Sequence, residues 1–130
     1  MEKRGQTPED LIIFNGKDQD GNTLPISAQR HLFAMADTAI GPHGSGLTNV
    51  IWMDPRCGPA STRPKVLEFA SSDRTPLIQS GSFWGYWFLF GALPWIDYHY
   101  IYYTQESNEA ITYVDVDVFE RTLHKMWNLH

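Results

Sequence analysis

His43 stands inside a glycine-rich turn, Ile40-Gly41-Pro42-His43-Gly44-Ser45-Gly46-Leu47-Thr48-Asn49. An imidazole there can donate a hydrogen bond, carry charge or shuttle a proton near neutral pH. The closely spaced Gly41, Gly44 and Gly46 let the backbone adopt positive φ and come close to a ligand. Thr38 to Ile40 reads as a short strand entering the turn, and Leu47 to Met53 as a helix leaving it. The first amides of a helix lack internal partners, and the helix dipole adds partial positive charge there. Strand, glycine turn and helix N-terminus together make a seat for a phosphate or diphosphate. The amides of Gly44, Ser45, Gly46 and Leu47 are the expected donors, with His43 in support. Thr48 and Asn49 can cap the helix or touch phosphate oxygens.

The spacing approaches three other chemistries and meets none of them. Gly41 and Gly46 are spaced as in a P-loop, but Leu47 occupies the place of its phosphate-binding lysine. A dinucleotide fingerprint begun at Gly44 needs its third glycine at Asn49. A nucleophile elbow around Ser45 needs glycines where His43 and Leu47 stand. The bland alternative is that the glycines only form a turn, with His43 hydrogen-bonded to backbone in the core.

Other candidates are less distinctive. Glu68 ends the apolar run that begins at Val66, where ligands of open α/β sheets bind. It can hold ribose hydroxyls or be a solvated carboxylate. Asp97 and His99 fall on one face of a strand and can act together, or simply face solvent. Asp115 and Asp117 have the Asp-x-Asp spacing that can hold a divalent metal. Asp117 with Glu120 three residues on reads more simply as a capping box, and no histidine has a second ligand at metal spacing. No metal is expected.

The elements that would position these groups alternate. Leu11 to Phe14 reads as a fully apolar buried strand, and Gly16 to Pro25 as a polar loop turning at Asp20-Gly21. Ser27 can cap a helix whose Ala28, Leu32, Met35 and Ala36 share a face. Val66 to Phe69 is the next strand, and Phe83 to Ile96 holds an aromatic helix ending near Gly91 and Pro94. Trp95 to Tyr103 forms a strand with Ile96, Tyr98, Tyr100 and Tyr102 on one face. A strand near Tyr113 and a helix carrying Phe119, Leu123 and Met126 close the chain. This alternation predicts an α/β fold with a parallel sheet and right-handed crossovers.

At 130 residues the chain has the size of one domain, and its aromatic content suits a packed core. A net charge of −5 excludes the electrostatic footprint of a nucleic-acid binder. The single cysteine, Cys57, excludes an internal disulfide framework. No signal-peptide core is visible, and the apolar stretch from Phe83 is too short and too interrupted by glycine and proline to span a bilayer.

Gly-Pro-His-Gly-Ser-Gly-Leu-Thr-Asn resembles the signature of glycosyltransferase family 61, which usually has alanine where Ser45 stands. The resemblance continues in order through Ser27 to Asp37, Lys65 to Phe69, Phe83 to Leu93, Asp97 to Ile101, Tyr113 to Asp117 and Phe119 to Leu123. It implies a Rossmann-like domain of the kind that forms the C-terminal, donor-binding half of a GT-B enzyme. The N-terminal half would be absent from these 130 residues, and this chain alone would be inactive or a non-catalytic binding fragment. The implied reaction is inverting sugar transfer from a nucleotide sugar, UDP-linked by expectation, to a glycan or protein acceptor, with no further cofactor. His43 is then the expected catalytic residue, stabilising the departing diphosphate. The expected donor site comprises Gly41, His43, Gly44, Ser45, Gly46, Leu47, Thr48, Asn49 and Glu68. The implied compartment is the secretory-pathway lumen if the chain is eukaryotic.

Overall fold

The sheet follows from runs of residues that can be apolar on both faces. A computed structural model of the chain describes residues 10–55, 63–71, 93–105 and 112–128. In order these form helix α1 (Ile26–Met35), strand β1 (Thr38–Pro42), a 3-10 helix (Ser45–Trp52), β2 (Lys65–Ser71), β3 (Asp97–Gln105), β4 (Thr112–Tyr113) and helix α2 (Val116–Trp127). The strands lie in the order β1-β2-β3-β4. The first three are parallel, and β4 pairs antiparallel with the end of β3. The result is an α/β fold with a Rossmann-like parallel sheet flanked by helices.

Register decides which side chains meet. Ala39 pairs with Val66 and Val66 with Tyr98, whereas Ile40, Leu67 and His99 line up on the opposite face. On the first face Leu47, Val50 and Met53 of the 3-10 helix pack with Val66 and Ile96, joined by Phe33 and Ala36 from α1 and its end. On the second face Met126 of α2 packs with Leu67 and Ile101, supported by Phe69, Val118, Phe119 and Leu123. Phe69 and Phe119 meet edge to face with ring centroids 5.9 Å apart. Burial of Leu67, fully enclosed here, contributes roughly 1.5–3 kcal/mol.

Helix α2 is well delimited. Asp115 caps it, its Oδ1 accepting from the Val118 amide at 3.0 Å. Asp117 in the first turn and His124 and Lys125 in the last complement the dipole. Asn128, left-handed at φ 50°, closes the end by donating its N–H to the His124 and Lys125 carbonyls.

Several expectations need correction. Leu11 to Phe14 is not a strand: Leu11, Ile12 and Ile13 are exposed, and no pairing among the described residues joins them to the sheet. The Phe14 ring instead packs edge to face on Phe33 at 5.2 Å. Beyond it the chain enters a tight loop with a Lys17–Thr23 bridge, where Gly21 takes φ 83°. Ser27 does not cap α1; Pro25 precedes the helix, with its φ already near the helical value, and its carbonyl accepts from Ala28 and Gln29. Met35 is exposed because Phe33 and Ala36 set the inward face. The segment after the glycine turn is 3-10 rather than α, since Gly46 and the β-branched Thr48, Val50 and Ile51 have weak α propensity. The cap of the last helix is Asp115, two residues before the expected Asp117, and the terminal strand is short and antiparallel. The aromatic helix expected over 83–91 lies outside the described residues, as does Cys57. No helix among the described residues is long and apolar enough to cross a membrane.

Candidate functional site

The glycine turn begins where β1 leaves the sheet. Pro42 is level with Phe69, and the His43 amide donates to the Phe69 carbonyl at 2.9 Å, so the turn is fastened to β2. Gly41 is level with Glu68, and His43, two residues on, projects on the same face. His43 Nδ1 meets Glu68 Oε1, and the Tyr98 hydroxyl donates to Glu68 Oε2. The Glu68 side chain is 1% exposed and that of His43 14%. A buried carboxylate is costly unless each oxygen finds a donor, and these two residues supply them. Burial, and then the Glu68 carboxylate beside it, hold the Tyr98 phenol far above its ordinary value of 10.0, so it remains a donor. Glu68 is therefore no solvated carboxylate, and the His43 imidazole meets its buried side chain.

The backbone past His43 is accessible. Gly44 precedes the 3-10 helix at φ 158° and ψ 176°, a backbone conformation that residues with a side chain rarely adopt. Among the described residues a Cβ built on Gly44 or Gly46 would meet nothing within 4 Å, so there is space for a ligand to approach here. Gly41 is ordinary strand backbone, and a Cβ on it would lie 3.8 Å from Leu47 Cδ1. Two expected groups have other duties. The Leu47 amide, expected to face phosphate, donates to the Gly44 carbonyl at 3.1 Å, and its side chain is core. Thr48 and Asn49 lie within the helix and do not cap it; no side chain does. Asn49 Nδ2 donates to Gln29 Oε1 at 3.2 Å, and Gln29 Nε2 to the Leu24 carbonyl at 2.8 Å, which ties the helix to α1.

The remaining candidates lie elsewhere. Asp97 and His99 share a strand face as expected, with Nε2 to Oδ1 at 3.0 Å. They are on the face opposite His43 and near the start of β3, and Lys65 Nζ holds Asp97 at 2.7 Å. Burial pushes the Asp97 carboxyl up, but Lys65 and His99 outweigh it and bring it below its ordinary 3.8. Among the described residues no group of three or more histidine, cysteine or acidic side chains is placed to hold a metal. A shallow depression lined by Trp52, Met53, Asp54, Pro55 and Trp95 sits at the other end of the strands, away from His43. Sequence reasoning overlooked Tyr98. Its alternation with Ile96 and Tyr100 showed its face, but only the pairing with β2 shows that Glu68 shares it.

The site can therefore present backbone amides and one buttressed imidazole to an anionic group at the carboxyl end of a parallel sheet. Comparison with known proteins agrees with the resemblance in the sequence. The model of the family Glycosyltransferase 61 matches residues 17–59, which span α1, β1, the glycine turn and the 3-10 helix. That segment is under half of the chain, and Glu68 and Tyr98 lie beyond it. It is a likeness of that segment to the family, and supports a glycosyltransferase domain in general terms. No curated protein and no solved structure matches the chain.

Proposed function

We propose that this chain is the donor-binding domain of an inverting GT-B glycosyltransferase. It takes the diphosphate of a nucleotide sugar, UDP-linked, at the glycine turn. The observation that carries this reading is the open backbone at Gly44 and Gly46 beside a histidine anchored by a buried carboxylate. The amides of Gly44, Ser45 and Gly46 face the departing diphosphate, and His43 adds a hydrogen bond or a positive charge to it. Leu47 and Asn49 contribute by holding the 3-10 helix in place, and Thr48 stands in the same turn. Gly41 brings the strand to the turn at the level of Glu68. Transfer also requires a base that activates the hydroxyl of the acceptor and a cleft closed against water.

A second reading, a nucleotide-sugar-binding or interaction fragment without catalysis, draws on the exposed Leu11, Ile12 and Ile13, which suit contact with further polypeptide. Titration with uridine diphosphate followed by NMR tests the binding step common to both readings. Saturable shifts centred on Gly44 to Gly46, lost in folded His43→Ala and Gly44→Val variants, are expected. A well-folded wild type without shifts would remove the diphosphate reading. Transfer from a UDP-sugar once a facing domain is supplied then separates the enzyme from the binding fragment.

A further inference from the structure

We propose that Tyr100 and Tyr102 of β3 form a stacking platform for the nucleobase of the nucleotide whose diphosphate lies at the glycine turn. The proposal rests on the diphosphate reading of that turn and adds the group that holds the base. Register supplies the geometry. Gly41, Glu68 and Tyr100 are level across the three parallel strands, and Ala70 is level with Tyr102. His43 follows Pro42, the partner of Phe69, and so stands beside Ala70 on that same face. Tyr102 and His43 therefore lie on either side of Ala70, two strand spacings or roughly 10 Å apart. One ribose spans a gap of that size between a base and its diphosphate. Exposure sets the two rings apart from their surroundings. Val66, Glu68 and Ala70 on this face are at most 1% exposed, whereas Tyr100 is 44% and Tyr102 53% exposed. Exposed aromatic rings grouped on one face mark a contact surface. The rings are also held in place: the Tyr100 ring lies 6.3 Å from that of Tyr98, and Tyr102 meets Tyr100 edge to face at 5.4 Å. A half-exposed aromatic row at the carboxyl end of a parallel sheet, continuous with an anion seat, suits a flat π-system with a negatively charged tail.

NMR and calorimetry on the full chain test the platform, with uridine diphosphate and inorganic pyrophosphate as paired probes. Pyrophosphate carries the anion without the base. In the wild type the uracil H5 and H6 resonances are expected to move upfield on binding, from the ring current of the tyrosines, and uridine diphosphate is expected to bind more tightly than pyrophosphate. Tyr100→Ala and Tyr102→Ala remove stacking area at half-exposed positions, so the fold is retained. Each is expected to weaken uridine diphosphate binding on the order of tenfold and to leave pyrophosphate binding unchanged. Tyr102→Phe keeps the ring and is expected to bind as the wild type does. Equal affinity of the wild type for the two probes, or a loss in the alanine variants shared by both probes, overturns the platform while the diphosphate seat stands. Upfield shifts confined to the ribose protons place the sugar rather than the base on the rings and overturn it as well. Wild type that binds neither probe removes the diphosphate reading, and the platform with it.

Discussion

Replacing His43 with alanine takes the donor from Oε1 of a carboxylate that is 1% exposed, while Tyr98 still serves Oε2. The loss is one hydrogen bond to a charged group, about 1.5–3 kcal/mol. Because His43 itself is 14% exposed, water can enter the space it leaves and replace part of the bond. The expected cost is therefore near the middle of that range, about 2 kcal/mol. A domain of this size holds roughly 5–15 kcal/mol, so the variant stays folded. With a urea dependence of about 2 kcal/mol per molar, the unfolding midpoint falls by about 1 M. The decisive comparison is a double-mutant cycle with Glu68→Leu. Once the carboxylate is gone, His43→Ala should cost far less, giving a coupling of about 1–2 kcal/mol between the two sites. A His43→Ala variant within about 0.5 kcal/mol of wild type, or a coupling indistinguishable from zero, would refute the claim that His43 satisfies Glu68.

Two further expectations concern the second face of the sheet. Asp115→Ala removes the cap of α2 and should cost about 1 kcal/mol by thermal or urea unfolding, with Asp117→Ala costing less because its place is the first turn and not the cap. Asp97 is held below its ordinary 3.8, so its charged form favours the fold. That contribution is complete above the ordinary value and is lost as pH falls through the lowered one. The stability gap between wild type and Asp97→Asn should accordingly be constant at neutral pH and close in acid, below the ordinary aspartate range; a gap that widens in acid would reverse the assignment.

Much of the frame was legible because local pattern and tertiary demand coincide. Val66 to Phe69, apolar but for Glu68, became a strand flanked by two others. The alternation that sets Ile96 and Tyr98 on one face is likewise seen, both packing in the first core layer. Leu11 to Phe14 misled because apolar character shows what can be buried, whereas a strand also needs a neighbour to pair with, and Phe14 found α1 instead. The 3-10 helix was misjudged as α because its apolar spacing outweighed the propensities of Gly46, Thr48, Val50 and Ile51 in the reading. At the site, the turn and His43 stood out from residue type alone. The burial of Glu68 and the part played by Tyr98 did not, since both depend on which residues of separate strands lie level.

That dependence also governs how the molecule folds. His43 and Glu68 are 25 residues apart along the chain, and Glu68 and Tyr98 a further 30. Each parallel pairing must close a long loop before any contact across it compensates the lost chain entropy. Non-local sheets of this kind fold on the slower side of small domains, in roughly milliseconds to seconds. A slip of one residue between β1 and β2 would turn Glu68 to the α2 side and leave its carboxylate without donors in an apolar layer. The hydrogen-bonded trio thus penalises misaligned chains, and its completion marks the moment when all three strands have reached their native alignment. Refolding followed at His43 and refolding followed at the core should then end in the same kinetic phase.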